Sequence, residues 1–452
     1  MDKKTELFER MPVPKALATL AIPTIISQLI TMIYNLADTY FIGLTGDPVK
    51  VAASTLAFTI FFMLCGLSNL FGVGGGSHIS RLLGAKKEDE VKCVSSFSFY
   101  STLALTALFG LFCYLFMDSI LPFLGASDAT FGYAAEYTLW VVIIGGIPAT
   151  GAMCLSHLLR SEGYASKASF GLGLGGVLNI ILDPIFMYVL LPEGQEVRGA
   201  AMATMLSNVI SLAYFLIVLA HLRGKTTLSL SPRYIGAGAR HTGKILATGV
   251  PSAAGALLAS VSNMVLNQLS AAHSDIQLAA LGIVKKIDML PLNVGMGLCQ
   301  GMLPLAAYNY ASGDHRRMKK AMLSCGVAGV VFALLCILLF QLVPDFIVHL
   351  FIDEAVTVSY GVTYLRIACL ATPLMILNLL ATFSLQSMGK GPESLVLSIS
   401  RQGFVNIPLQ FLFNSLWGMT GLVFVQLAAD FITLFLSLFL ILRVFHRIKN
   451  EN

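Results

Sequence analysis

Twelve long apolar stretches separated by short polar connections set the pattern of this chain. They fall near residues 16–42, 51–80, 94–116, 136–158, 168–191, 200–222, 245–271, 278–309, 321–343, 359–383, 394–415 and 419–445. A helix needs roughly 20 apolar residues to cross about 30 Å of hydrocarbon, so each stretch is long enough to span a bilayer. The pattern predicts an all-α polytopic membrane protein with twelve transmembrane helices. The longest polar connection, 223–244, reads as a linker between residues 1–222 and 245–452, each with six spans.

The two halves repeat. Ala21-Ile22-Pro23 opens the first span as Gly249-Val250-Pro251 opens the seventh. Leu83-Gly84-Ala85-Lys86-Lys87 corresponds to Ser312-Gly313-Asp314-His315-Arg316, and Leu159-Arg160-Ser161-Glu162-Gly163 to Leu385-Gln386-Ser387-Met388-Gly389. Arg198-Gly199-Ala200 matches Thr420-Gly421-Leu422 at a similar offset. Because each half holds an even number of spans, the copies share one orientation. A pseudo-two-fold axis along the membrane normal then relates two six-helix lobes that enclose a central cavity.

Composition agrees. The chain has 452 residues, 56% hydrophobic and 12% charged, about half the charge of a usual soluble domain, and a mean hydropathy of +0.79. A soluble protein is excluded. Lysine and arginine collect on the cytoplasmic side of membrane proteins. With both termini inside, only Lys50, Arg198 and Arg366 of the 29 fall in outer connections, and Lys285 and Lys286 lie near the start of the eighth span. Arg401 is counted among the inside cations. This asymmetry explains the net charge of +5 without a nucleic-acid partner. The eight cysteines stand singly, which predicts core thiols and no disulfide framework. The first fifteen residues mix acids and bases with no small-residue cleavage site, so no removable signal peptide is expected.

Against this background Asp38 and Asp183 stand out, because an ionised carboxylate at membrane depth costs at least a few kcal/mol. Such a group lines a polar cavity, takes up a proton or binds a cation. Asn35 and Asn179 share a helix face with Asp38 and Asp183, giving two oxygen-rich clusters. The second half lacks these acids: Asp38 falls opposite Leu266 or Asn267, and Asp183 opposite Gln410. Ion coupling is therefore assigned to the first lobe. Pro184 removes a donor and frees the carbonyl of Ile180, which predicts a helix bend beside the acid. That bend is either part of an ion site or a simple kink. Thr204 and Asn208, one turn apart, either complete the cluster or bond neighbouring helices.

Other candidates have two readings each. Asp288 either neutralises Lys285 through an i, i+3 contact or lines the cavity. Asp430, opposite Asn208 in the repeat, is a candidate for sensing substrate charge. Gln28, Asn263 and Asn267 are further cavity candidates. Gly171-x-Gly173-x-x-Gly176 spells a dinucleotide fingerprint, but no βαβ unit exists inside a membrane span, so it is rejected. Gly72-x-Gly74-Gly75-Gly76 predicts close helix packing or a bend. No histidine pair has metal-ligand spacing, and no metal is expected beyond Na⁺ at Asp38 and Asp183. No nucleophile–base set suggests an enzyme.

These residues resemble the multidrug and toxic compound extrusion (MATE) family of secondary antiporters over nearly the whole chain. The likeness rests on Pro23, Asn35-Leu-Ala-Asp38-Thr39-Tyr-Phe-Ile-Gly43 and Ser80-Arg81-Leu-Leu-Gly84-Ala85. It continues through Asn179-Ile-Ile-Leu-Asp183-Pro184 and Gly199-Ala200-Ala201-Met-Ala203-Thr204. Asn69 to Ala85 and Val94 to Ser98 are most similar to the MepA-like branch of bacterial multidrug exporters. The resemblance implies two six-helix lobes in the bacterial cytoplasmic membrane and alternating access driven by inward H⁺ or Na⁺. Within it Asp38, Asn179, Asp183 and Thr204 match the first lobe's ion cluster. The branch with acids in the seventh and tenth spans is not matched, since Asn263, Asn267, Gln268 and Gln386 stand there. Small lipophilic cations are the implied substrates, no other cofactor is required, and a two-lobed carrier can work as a monomer. The alternative is a flippase of lipid-linked sugars on a related fold, whose cavity should favour cations rather than buried acids.

Overall fold

In hydrocarbon every backbone donor and acceptor must be paired within the chain, and helices do this span by span. The computed structural model describes residues 5–192 and 194–451, and its spans follow the expected order. They are α1 (Val13–Gly43), α2 (Pro48–Gly84), α3 (Glu88–Leu115), α4 (Asp128–Ile144 continued by Gly146–Ser161), α5 (Ala165–Leu190) and α6 (Glu196–His221). The second half supplies α7 (Thr242–Ala271), α8 (Asp275–Ala311), α9 (His315–Leu342), α10 (Ala355–Ser387), α11 (391–417) and α12 (419–451). Among the described residues ten helices are long and apolar enough to cross a membrane, and α4 qualifies as a pair bent by 47°. The last of the ten runs through Gly418, whose φ of 57° and ψ of −137° break it into α11 and α12. That glycine turns the chain where the sequence places a boundary between spans. Left-handed φ is costly for any side chain with a Cβ, and glycine avoids that cost.

Local signals set the other ends. Asp47 caps α2 by accepting from the Val49 amide at 2.9 Å, with Pro48 as the first helical residue. Ser127 and Thr130 form a reciprocal capping box at the start of α4, and Asp314 caps α9 through the Arg317 amide at 2.8 Å. These side chains satisfy donors that the first helical turn leaves open. Large apolar side chains face outward in rows along α3, α9 and α12, for example Leu108, Phe112 and Leu115, or Leu335, Leu338 and Leu342. Exposed apolar belts of this extent fit lipid rather than water.

α1–α6 and α7–α12 form the two lobes, which meet chiefly along α2 with α7 and α1 with α8. Contact concentrates toward the end that carries the α2–α3, α4–α5 and α8–α9 connections, called the basic end below. There glycine lets backbones touch. A Cβ on Gly249 would sit 1.9 Å from the Leu70 carbonyl oxygen, and one on Gly84 2.2 Å from that of Tyr308. The glycine run of α2 is a packing surface: Gly74 abuts Ile245, Gly75 abuts Ser98, and Gly72 and Gly76 abut His157. Gly171, Gly173 and Gly176 likewise receive Phe215, Ile30 and Tyr34. The linker lies along α3, with Ser96 and Tyr100 donating to the carbonyls of Ser231 and Leu230 at 2.8 and 2.9 Å.

Candidate ion and substrate site

α1, α4, α5 and α6 bring one polar side chain each, or two, to a point inside the first lobe. Asp183 is fully buried, and its Oδ1 accepts from Asn179 Nδ2 at 3.0 Å, one turn back on α5. The same amide donates to Thr204 Oγ1 on α6 at 3.1 Å. On α1, Asp38 is 8% exposed, and its Oδ2 accepts from the Tyr137 hydroxyl of α4 at 3.1 Å. Four buried oxygens have no hydrogen-bond partner: Asn35 Oδ1, Asp38 Oδ1, Asn179 Oδ1 and Asp183 Oδ2. Neither acid forms an ion pair among the described residues. Unpaired buried oxygens cost free energy unless a proton, a cation or water satisfies them. Carboxylate, amide and hydroxyl oxygens together suit a hard cation, and the two carboxylates also suit protons.

The expected members are thus mostly together. Thr204 joins the cluster, whereas Asn208 makes no hydrogen bond to it among the described residues. Helix α5 stays continuous past Pro184 and changes to a π-helical turn at Phe186–Leu190, so the irregularity lies just beyond the acid. Tyr137 was not anticipated. It precedes the π-helical segment Leu139–Ile144 of α4, and one tyrosine among 14 carries no signal in sequence.

The second lobe differs in charge. Asp430 is fully buried, but its Oδ1 accepts from Arg401 Nε at 2.7 Å and its Oδ2 from Gln426 Nε2 at 2.6 Å. Asn378 adds a 2.9 Å bond to the Asp430 carbonyl. Arg401, counted among the inside cations, is not a free surface charge: it is 8% exposed and neutralises Asp430 across α11 and α12. Asp430 is accordingly a paired charge and offers no free carboxylate to a substrate. Gln410, opposite Asp183 in the repeat, donates to Ser262 Oγ at 2.9 Å and Asn406 Oδ1 at 2.7 Å, an amide network in place of an acid. Beside it a pocket is lined by Asn263, Lys285, Asp288, Gln402 and Gln426. Asp288 and Lys285 make no ion pair within 4.0 Å among the described residues, and both face this pocket. Asn267 is exposed on the same helix as Asn263, and Gln28 is half-buried on α1.

Known proteins are similar to this chain over nearly its whole length. The MatE family profile matches residues 23–185 and 251–412, once in each lobe. The multidrug export protein MepA of Staphylococcus saprophyticus is 33% identical over 95% of this chain and 93% of its own length. MepA of Staphylococcus aureus strain MRSA252 is 32% identical over the same shares. A multidrug resistance MATE family transporter solved in an outward-facing conformation superposes with a TM-score of 0.91 at 25% identity, over 99% of both chains. With one matched copy per lobe and relatives aligned over nearly the full length, this chain is a member of the MatE family.

Proposed function

We propose that this protein is a secondary active multidrug exporter that exchanges inward H⁺ or Na⁺ for small lipophilic cations. The observation that carries this reading is the contrast between lobes: Asp38 and Asp183 are buried without a cationic partner, whereas Asp430 is held by Arg401. A charge already paired cannot respond to an ion gradient. Two unpaired ones can. In this reading the basic end faces the cytoplasm, and the packed state opens outward, as in the outward-facing relative.

Protons or Na⁺ entering from outside satisfy Asp38 and Asp183 and remove the negative field that holds a cation in the cavity. The substrate leaves outward and the neutralised carrier turns inward. Release of the ion to the cytoplasm restores both carboxylates, and the next cation binds. Coupling requires only that ion and substrate prefer opposite charge states of one cluster. The pocket of the second lobe adds polar contacts through Asn263 and Asp288.

The test is efflux of a fluorescent lipophilic cation from proteoliposomes under an imposed pH or Na⁺ gradient. Wild type should export under one of the two gradients, which identifies the ion, and Asp183→Asn should lose gradient-driven export while remaining folded. Full export by the variant would remove Asp183 from the mechanism. No wild-type flux under either gradient would favour the flippase reading.

A further inference from the structure

Two arginines lie where the lobes meet at the basic end, Arg81 half-buried and Arg160 buried, and they are treated differently. Arg81 of α2 is accounted for: its Nη1 donates to Ser77 Oγ at 2.9 Å and to the carbonyls of Gln386 and Ser387 at 3.0 and 3.2 Å. Those carbonyls end α10, where the helix carries about half a negative charge. Arg160 of α4 has no such counterpart. It is 4% exposed, it pairs with no carboxylate among the described residues, and its buried Nε has no hydrogen-bond partner. Its contacts are neutral: Nη1 donates to Gln300 Oε1 at 3.3 Å and to His157 Nδ1 at 3.4 Å. A guanidinium stays protonated at any physiological pH, and burying it unpaired costs several kcal/mol. Something negative should accompany it.

The space beside Arg160 is a small cavity between the lobes. α2 and α4 contribute Ser77, His157 and Arg160, and α8 and α10 contribute Gln300 and Phe383. Because His157 Nδ1 accepts from Arg160, the ring proton belongs on Nε2, so His157 presents a donor. The Gln300 amide turns its oxygen to Arg160 and keeps its NH₂ available. Guanidinium, imidazole and amide N–H groups set among apolar walls such as Val73, Leu303 and Phe383 suit a weakly hydrated monovalent anion. The cavity has room for one small ion.

We propose that a halide-sized anion, chloride under cellular conditions, binds between the lobes on Arg160, His157 and Gln300. Its donors come from both lobes, so it binds only while the basic end is shut and it stabilises that state. The inference concerns a site separate from the Asp38–Asp183 cluster and does not depend on which substrate is exported.

The test uses the full-length protein in detergent. Crystals grown in bromide should show an anomalous peak within hydrogen-bond distance of Arg160, and Tm should rise with chloride or bromide relative to gluconate at equal ionic strength. Arg160→Gln should lose that anion-dependent shift. Gln300→Leu, which removes a donor from the opposite lobe, should weaken it even if the arginine variant does not fold. Equal wild-type Tm in chloride and gluconate, or no bromide at Arg160, would overturn the proposal. So would a shift unchanged in Arg160→Gln or Gln300→Leu. Bromide density without any effect on Tm would mean an adventitious ion only.

Discussion

A carboxylate inside a membrane protein is tolerated in one of two ways, and this chain uses both. Asp430 is matched by Arg401 and by the amides of Gln426 and Asn378, so removing the arginine alone leaves an uncompensated charge. Breaking a buried pair from one side typically costs about 3–5 kcal/mol. Arg401→Met should therefore lower Tm sharply, and the double variant Arg401→Met/Asp430→Asn should recover most of the loss. Asp183→Asn should hold or raise Tm while abolishing export, because its acid has no cationic partner to orphan. A stability–function trade of this kind marks a functional acid, and thermal unfolding beside efflux measures both sides. The acids were legible in sequence because a carboxylate in an apolar run has no packing explanation. Arg401 was not, because lysine and arginine near the cytoplasmic end of a span are ordinary, and only folding shows α11 and α12 bringing it to Asp430. Tyr137 was equally silent, since its ring reads as membrane-interface or core.

At the scale of elements, hydropathy located all twelve spans, because a bilayer fixes the length an apolar helix must have. The irregularities followed from subtler causes. The bend of α4 at Gly145 and the π-helical turns of α4, α5 and α11 leave no mark on hydropathy. Glycine shows the same limit, since its role depends on what stands opposite. A Cβ at Gly249 meets the Leu70 carbonyl, whereas one at Gly282, two turns into α8, meets nothing within 4 Å. The two alanine variants should differ in sign. Gly282→Ala gains helix propensity of up to about 1 kcal/mol and should raise Tm or leave it unchanged. Gly249→Ala must part α2 from α7 and should lower Tm, with faster hydrogen exchange in both helices near the basic end. Equal effects of the two variants would show that the backbone contact is not limiting.

The repeat is visible at the scale of the whole molecule in matching turns: Gly163 and Gly389, which correspond in sequence, have φ of +92° and +70°. Gly199 and Gly421 correspond too, and each faces backbone of the preceding span. What the repeat does not contain is the segment before α1. Residues Glu6–Arg10 form a π-helical turn whose Phe8 stacks on Tyr308 of α8 at 4.8 Å. Arg317 of α9 donates to the carbonyls of Phe8 and Met11 at 2.7 and 2.6 Å. Glu9 then reaches across, accepting from Tyr308 at 2.6 Å and from Lys86 at 2.5 Å, so a peptide held by the second lobe grips the first. Hydrogen bonds from Lys86 and Tyr308 hold the Glu9 carboxyl below its ordinary value, and the bond that Lys86 donates to Glu9 raises the Lys86 ammonium above its own. The sign follows from each shift. The Glu9 contribution is complete above the usual carboxylate range and is lost as pH falls through its lowered folded value. That of Lys86 is complete below the usual lysine range and is lost as pH rises through its raised folded value. The clasp is therefore intact from mildly acidic to mildly alkaline pH. Both side chains are partly exposed, at 35% and 64%, so solvent limits the ion pair to about 0–1 kcal/mol. Lys86→Met should accordingly leave Tm nearly unchanged but speed hydrogen exchange in residues 6–11 at neutral pH. Wild type should show the same loosening when acidified below the carboxylate range. Equal exchange in the two proteins at neutral pH would mean that Phe8 and Arg317 anchor the segment without help from Lys86.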